Sequence, residues 1–166
     1  MASLTFEASL PHPDDTDKLG ARLADAVSKE AGAVAGHGLA VRLEGNLGAG
    51  KTSLVRAMLR RLGFAGPVKS PTFSLVETYP VAGLTLNHFD FYRFEEPEEF
   101  EDAGFRDLFS PGFVSATEWT EKASPYVPDA DLVIELALEG LGRRAVLKGL
   151  TPLGEALVAH VLEAGE

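Results

Sequence analysis

The sequence predicts an α/β fold with three layers: a mainly parallel central sheet, antiparallel additions at its edges, and flanking helices. Three observations carry this expectation. First, Leu39-Ala40-Val41-Arg42-Leu43 reads as a buried strand. A glycine-rich loop follows, and then Ser53 to Leu62, where Leu54, Val55, Met58, Leu59 and Leu62 share one helical face. Second, Leu19, Leu23, Ala26 and Val27 form an apolar stripe on a helix predicted over Thr16 to Ala31. Third, Leu132 to Leu138 and Arg143 to Lys148 read as two strands joined by Glu139-Gly140-Leu141-Gly142.

The bulk composition narrows the classes. A chain of 166 residues is expected to form a single domain, residues 1–166, with a sizeable core. Its 45% hydrophobic and 24% charged residues are normal for a globular protein rather than a disordered one. The formal net charge of −10 argues against a large nucleic-acid footprint, which needs a basic face. Any service to nucleic-acid metabolism is therefore expected to run through a protein partner. The absence of cysteine excludes disulfides, thiol catalysis and cysteine–zinc sites. The first residues lack the basic and apolar regions of a signal peptide, and no apolar stretch is long enough to span a membrane. A cytoplasmic location is the expectation.

Along the chain, Ser3 to Ser9 alternate weakly and predict a short edge strand, which Pro11-His12-Pro13 breaks. Asp14-Asp15-Thr16-Asp17 supplies a helix cap and an acidic first turn. Simple capping explains this cluster, and a nucleotide contact from Thr16 is the alternative. The helix ends near Gly32 to Gly38.

The chemistry centres on Gly45-Asn46-Leu47-Gly48-Ala49-Gly50-Lys51-Thr52, which fits the P-loop pattern G-x-x-x-x-G-K-[ST] without a substitution. Its glycines let backbone N–H groups converge on phosphates. Lys51 reaches the outer phosphates as a point charge, and the Thr52 hydroxyl ligates Mg²⁺. Ser53 opens the helix, whose N-terminus would face the phosphates, and Gly63 stands where a helix C-terminus favours glycine.

Ser70-Pro71-Thr72 follows, where switch-type nucleotide hydrolases place a loop that senses the γ-phosphate. Taken alone, the segment reads better as an ordinary Ser-Pro turn leading into a strand. Leu84 to Phe91 reads as a strand, with Asp90 near its end where a carboxylate would approach Mg²⁺ or its water shell. His88 is compatible with a switch role or with a core or edge position. Arg93, after Tyr92, would pair with an acid or a phosphate. The acidic run Glu95 to Asp102 reads as a solvated helix face or a docking surface, with Phe100, Ala103 and Leu108 on its buried side. Gly112 to Thr117 is a further strand ending in Glu118-Trp119. A surface glutamate beside a packed aromatic and a second Mg²⁺-side acid both fit there. Thr151-Pro152 starts the last helix, with Leu153, Leu157, Val158, Val161 and Leu162 as its core face.

Taken together, Gly45 to Thr52, Ser70-Pro71-Thr72-Phe73, His88-Phe89-Asp90-Phe91-Tyr92-Arg93 and Glu118-Trp119 closely resemble the TsaE family, formerly called YjeE. These are small bacterial P-loop ATPases needed for threonylcarbamoyladenosine formation in tRNA. The resemblance runs from Thr16-Asp17-Lys18-Leu19-Gly20 to Gly142-Arg143. It implies a P-loop NTPase fold. Gly45 to Thr52 would bind ATP phosphates, and Thr52 and Glu118 would hold Mg²⁺. Asp90 would orient or activate the attacking water. Ser70, Pro71 and Thr72 would form the γ-phosphate switch, together with His88, Tyr92 and Arg93 of the second motif. Trp119 would couple the site to partners, and Thr16, Glu121 and Arg143 would lie near the nucleotide.

The implied partners are the TsaB–TsaD heterodimer, in which TsaD transfers threonylcarbamoyl from an adenylate made by TsaC. The acceptor is the adenosine beside the anticodon, and tRNA would be met only through the complex. Three departures from the family are visible. Asn46 replaces a common aspartate, Ser115 and Thr117 make the strand before Glu118 more polar, and Thr120 stands where proline is frequent. No Asn-Lys-x-Asp guanine reader is present, which favours ATP. Two other classes fit a P-loop of this size: a small-molecule kinase, and a binding module whose nucleotide is merely structural.

Overall fold

The architecture is built on one seven-stranded sheet. The structure is a computed structural model, and residues 4–46 and 48–165 are described. Ser3 of the predicted edge strand and Leu47 of the glycine loop lie outside the described residues. The strands are β1 (Leu4–Leu10), β2 (Leu39–Glu44), β3 (Val76–Val81), β4 (Leu84–Asp90), β5 (Phe113–Glu118), β6 (Leu132–Glu139) and β7 (Gly142–Gly149). Their order is β1-β7-β6-β2-β5-β4-β3. The four central strands β6, β2, β5 and β4 are parallel, and the outer pairings are antiparallel. This is the predicted mainly parallel α/β sheet with antiparallel edges.

The helices are α1 (Pro13–Lys29), α2 (Ala31–His37), α3 (Lys51–Arg61), α4 (Glu99–Asp102) and α5 (Pro152–Ala164). Helices α1, α3 and α5 form one layer, with α1 packed against both of the others. Leu39, Val41 and Leu43 of β2 and Leu84 and Leu86 of β4 join this layer in one core with Leu23, Leu54 and Leu59. The alternation that turns these residues inward turns Phe89 and Phe91 to the other side. There they build a second, aromatic cluster with Phe94, Phe100 and Phe105. That third layer is thin: α4, a 3-10 turn at Phe105–Leu108 and the loops around them.

Several boundaries differ from the sequence expectation for physical reasons. Helix α1 starts at Pro13, not Thr16, because proline suits the first helical turn and His12 takes the cap. The carboxylate of Asp15 accepts from the His12 N–H at 3.0 Å, so the acidic cluster forms the first turn rather than the cap. The helix predicted to run on toward Gly32 breaks at Glu30, and the separate α2 ends at Gly38, whose φ is +80°. Strand β3 follows the Ser70-Pro71-Thr72 loop, as the reading of a turn leading into a strand expects, and forms an antiparallel edge beside β4. Pro80 lies within it, which an outermost strand tolerates. Ala103 is exposed rather than buried beside Phe100, because α4 stops after one turn. Leu162 is 36% exposed, at the rim of the core face of α5. The polar Ser115 and Thr117 face the thin side of the sheet. There Ser115 donates to the Leu108 carbonyl at 2.9 Å, and Thr117 and Thr120 share a hydrogen bond of 2.9 Å.

The contact between α1 and α3 tightens at Gly20, where a Cβ would stand 2.5 Å from the Ala57 Cβ and 3.1 Å from the Leu54 carbonyl oxygen. We expect Gly20→Ala to force the two helices apart at a cost of about 1–3 kcal/mol, the usual toll of overpacking. Urea unfolding would register it as a lower midpoint with an unchanged m-value.

Candidate functional site

Register creates the site. Leu43 of β2, Glu118 of β5 and Asp90 of β4 are direct neighbours across three parallel strands. Their carboxyl-terminal ends therefore deliver the glycine loop and two carboxylates to one edge of the sheet, the usual binding edge of such folds. The loop from Gly45 leads into Lys51, the first residue of α3.

The loop's glycines are needed by its geometry. Gly45, Gly48 and Gly50 have φ values of +149°, +82° and +101°. A Cβ on Gly45 would lie 2.4 Å from the Leu136 carbonyl oxygen. Arg143 reaches across from β7 and donates through Nε to the Ala49 carbonyl at 3.1 Å and through Nη2 to the Gly48 carbonyl at 2.8 Å. These two carbonyls are thereby held toward the guanidinium.

Lys51 is buried, and its ammonium donates to the Gly45 carbonyl at 2.5 Å. It also lies 3.4 Å from Glu118 Oε1 and 4.9 Å from the centre of the Trp119 ring. The second oxygen of Glu118 is 2.5 Å from His88 Nε2. Asp90 accepts from the Tyr92 N–H at 2.8 Å through one oxygen and from the Thr72 hydroxyl at 3.4 Å through the other. Thr72 in turn shares a 2.8 Å hydrogen bond with Ser70, and Pro71 is buried. The predicted switch loop thus touches the predicted water-handling carboxylate directly.

The two acids are pushed in opposite directions. For Asp90, burial raises the pKa and the nearby Glu118 adds to it. The Tyr92 N–H, with His88 and Lys51, offsets only part of the rise. For Glu118, burial also acts upward, but the hydrogen bond and charge of His88 and the Lys51 ammonium outweigh it, and the pKa falls. Such divergence separates a carboxylate that stays ionised from one that accepts a proton.

The other sequence candidates divide into two groups. Thr16, Ser53 and Arg143 line a cavity of about 360 Å³ with Leu10, His12 and Gly50, on one side of the loop. Glu121 lies away from this group. With Arg42, Gly45, Asn46, Lys51 and Trp119 it lines a second cleft of about 370 Å³, and it is 3.9 Å from Arg42. Thr52 follows Lys51 in the first turn of α3, half-buried. His88, placed by its motif among switch and partner residues, is fully buried and turns to Glu118 instead of the surface. Tyr92 is 45% exposed, packs its ring 5.0 Å from Trp119, and carries the Lys122 ammonium 5.2 Å above it. Arg93 lies 4.2 Å over the ring of Phe73, which is 80% exposed. Phe73 belongs to the Ser70-Pro71-Thr72-Phe73 motif but had no role assigned, and Lys122 and His12 carried no signal of a site in the sequence; their placement reveals all three. A larger cavity of about 530 Å³ lies on the thin face of the sheet, between Arg42, Thr117, Thr120 and Asp129. It includes no residue of the glycine loop, so convergent groups rather than volume mark the site.

The family model described as "Threonylcarbamoyl adenosine biosynthesis protein TsaE" matches residues 10–146. The chain belongs to the TsaE family. Among curated relatives, a tRNA threonylcarbamoyladenosine biosynthesis protein TsaE of Haemophilus influenzae is 43% identical over 119 residues, covering 72% of this chain and 75% of that protein. The protein of that name from Bacillus subtilis is 35% identical over 121 residues, covering 73% and 75%. Among solved structures, the crystal structure of Bacillus subtilis YdiB superposes with a TM-score of 0.76 at 22% identity, covering 100% of this chain and 99% of that one. That likeness shows that the two chains share one fold. Within the described residues of this TsaE-family chain, no helix is long and apolar enough to cross a membrane.

The direction of the Asp90 shift makes a stability prediction. A carboxyl whose pKa is higher folded than unfolded destabilises the fold once both states ionise. Asp90→Asn should therefore raise Tm at neutral pH, by roughly 2–4 °C for each kcal/mol relieved. The gain should vanish below about pH 4, where Asp90 is protonated in both states. Thermal melts of the nucleotide-free protein at pH 7 and pH 3.5 would check both the sign and the window.

Proposed function

We propose that this chain is a Mg²⁺-dependent ATPase serving threonylcarbamoyl modification of the tRNA adenosine beside the anticodon. One observation carries the chemical half of this reading. The loop lysine, Lys51, is held between the Gly45 carbonyl and Glu118, one residue from Thr52 and beside Asp90. Membership of the TsaE family supports the tRNA half.

In this reading the amides of the Gly45–Thr52 loop and the N-terminus of α3 bind the β- and γ-phosphates. Lys51 leaves Gly45 and Glu118 to take the outer phosphate charge. The donor set beside it, the Thr52 hydroxyl and an ionised Glu118, is hard and oxygen-based and suits Mg²⁺. That ion would neutralise charge on the phosphates when bound. Asp90 orients the attacking water or takes its proton, and its raised pKa favours the acceptor role. Thr72, bonded to Asp90, connects the Ser70-Pro71-Thr72 loop to the γ-phosphate position. The cavity beside Thr16, Ser53 and Arg143 has room for the nucleoside end of ATP.

The partner half of the reading is that nucleotide state assembles or resets the TsaB–TsaD heterodimer. Phe73 with Arg93, and Tyr92 with Lys122, form an exposed aromatic and cationic surface beside the site, as a docking protein would need. The net charge of −10 supports contact with tRNA through the complex only. The kinase alternative would need an arginine-rich lid, whereas Arg143 is spent on loop carbonyls and Arg93 on Phe73.

Two outcomes test the reading. Lys51→Ala should keep the fold and lose ATP turnover by roughly 10²–10³-fold, the usual effect of deleting a charge-stabilising donor. Multiple-turnover modification, reconstituted with TsaB, TsaD, TsaC and unmodified tRNA, should fail with it. Modification that survives in a folded Lys51→Ala protein would mean the nucleotide is merely structural. Trp119, the only tryptophan, gives a direct signal because Lys51 lies over its ring. Adding Mg-ATP at about 1 mM should change its fluorescence, and should not do so in Lys51→Ala.

A further inference from the structure

His88 is fully buried in β4 and faces the same side of the sheet as Leu86 and Asp90. Its Nε2 is 2.5 Å from Glu118 Oε2, while its Nδ1 has no hydrogen-bond partner among the described residues. A buried imidazole with one unpaired nitrogen is a poor packing element, since an apolar side chain would fill the space without that penalty. Its placement is explained by what it holds. The two oxygens of Glu118 have separate partners: Oε2 faces His88, and Oε1 faces the Lys51 ammonium at 3.4 Å. These partners differ in mobility. Lys51 reaches the carboxylate on a long side chain that phosphates would draw away. His88 is fixed by a parallel strand pair, with its own Cα opposite Ala116 and Asp90 opposite Glu118.

We infer that His88 is a positioning residue that clamps Oε2 of Glu118, so that Oε1 alone is presented to the divalent cation. This rests on the Mg-ATP reading given above. A carboxylate clamped on one oxygen is a one-point ligand. That suits Mg²⁺, which demands octahedral geometry with few protein ligands, and disfavours Ca²⁺, which readily accepts both oxygens of one carboxylate. His88 therefore governs how tightly, and how selectively, Glu118 binds the ion, without touching the nucleotide. Partners that orient a metal ligand in this way typically change metal affinity by about 10–100-fold.

The test uses the full chain and follows the nucleotide-induced rise in Tm, with Trp119 fluorescence as a second readout. ATP is held constant while Mg²⁺ or Ca²⁺ is titrated. His88→Leu removes the N–H donor, and His88→Gln returns one at about the same reach. We expect His88→Leu to raise the Mg²⁺ midpoint about 10–100-fold, with a smaller change for Ca²⁺ and an unchanged response to ATP in EDTA. His88→Gln should lie close to the wild type. If His88→Leu does not fold, His88→Asn, too short to reach Oε2, takes its place. A Mg²⁺ midpoint unchanged in the folded variant would overturn the inference and leave His88 a packing residue. Equal shifts in the Leu and Gln variants would also overturn it, because the restored donor would then not matter. A wild-type protein without any Mg²⁺-dependent response to ATP would instead sink the Mg-ATP reading itself.

Discussion

The shared register of three parallel strands is the constraint on which this molecule depends. Leu43, Glu118 and Asp90 form one row across β2, β5 and β4. The row fixes the spatial order of loop, first carboxylate and second carboxylate. Glu118 stands on the strand next to the one that feeds the glycine loop, and it meets Lys51 directly. Asp90 stands one strand further away and meets the Ser70–Thr72 loop instead. Two acids that look alike in sequence therefore acquire different partners and opposite pKa shifts from a single topological fact. A slip of one residue in β5 would turn Glu118 to the thin face of the sheet and Thr117 toward Lys51.

Burying charge at this row has a cost, and the surrounding contacts offset it. Lys51, His88, Asp90 and Glu118 are all buried at the edge of an apolar layer. Isolated there, each would be strongly disfavoured. They are tolerable because they face one another and because backbone groups complete the set: the Gly45 carbonyl for Lys51 and the Tyr92 N–H for Asp90. Arg143 contributes from the far side by donating to the Gly48 and Ala49 carbonyls. The glycine loop is thus braced by two cations, Lys51 at the Gly45 carbonyl and Arg143 at the Gly48 and Ala49 carbonyls.

Much of this was legible in the sequence, and the illegible part has a physical character. The strand, glycine loop and α3 were readable because their signals are local: apolar period, loop glycines and the cap at Gly63. Glu118 was only one of two readings, since its importance comes from His88, thirty positions away, and from Lys51, which no local pattern connects to it. Strand β3 was legible only as an unplaced strand after the Ser-Pro turn; its place at the sheet edge, which tolerates Pro80, comes from its antiparallel pairing with β4. Ser115 and Thr117 read as an oddly polar strand, because one face of β5 meets loops and a shallow cavity rather than a helix. Thr16 and Arg143 share a cavity, while Glu121 lies on the other side of the loop. A chain order cannot express that division.

Backbone strain marks the same row. Among the described residues, three non-glycines adopt positive φ: Leu75, Ala82 and Trp119. Ala82 lies in the tight turn between β3 and β4, where such conformations are ordinary. The other two flank the carboxylates. Leu75 closes the loop from Pro71 by donating its N–H to the Pro71 carbonyl, and its own carbonyl accepts from the N–H of Asp90 at 2.9 Å. Trp119 directly follows Glu118 and carries its ring over to Lys51. A left-handed conformation costs a side-chain-bearing residue about 1–2 kcal/mol. That is comparable to the net worth of one or two hydrogen bonds. The segments that touch Asp90 and Glu118 therefore carry local backbone strain, while β2, β5 and β4 beneath them are joined by a regular parallel ladder.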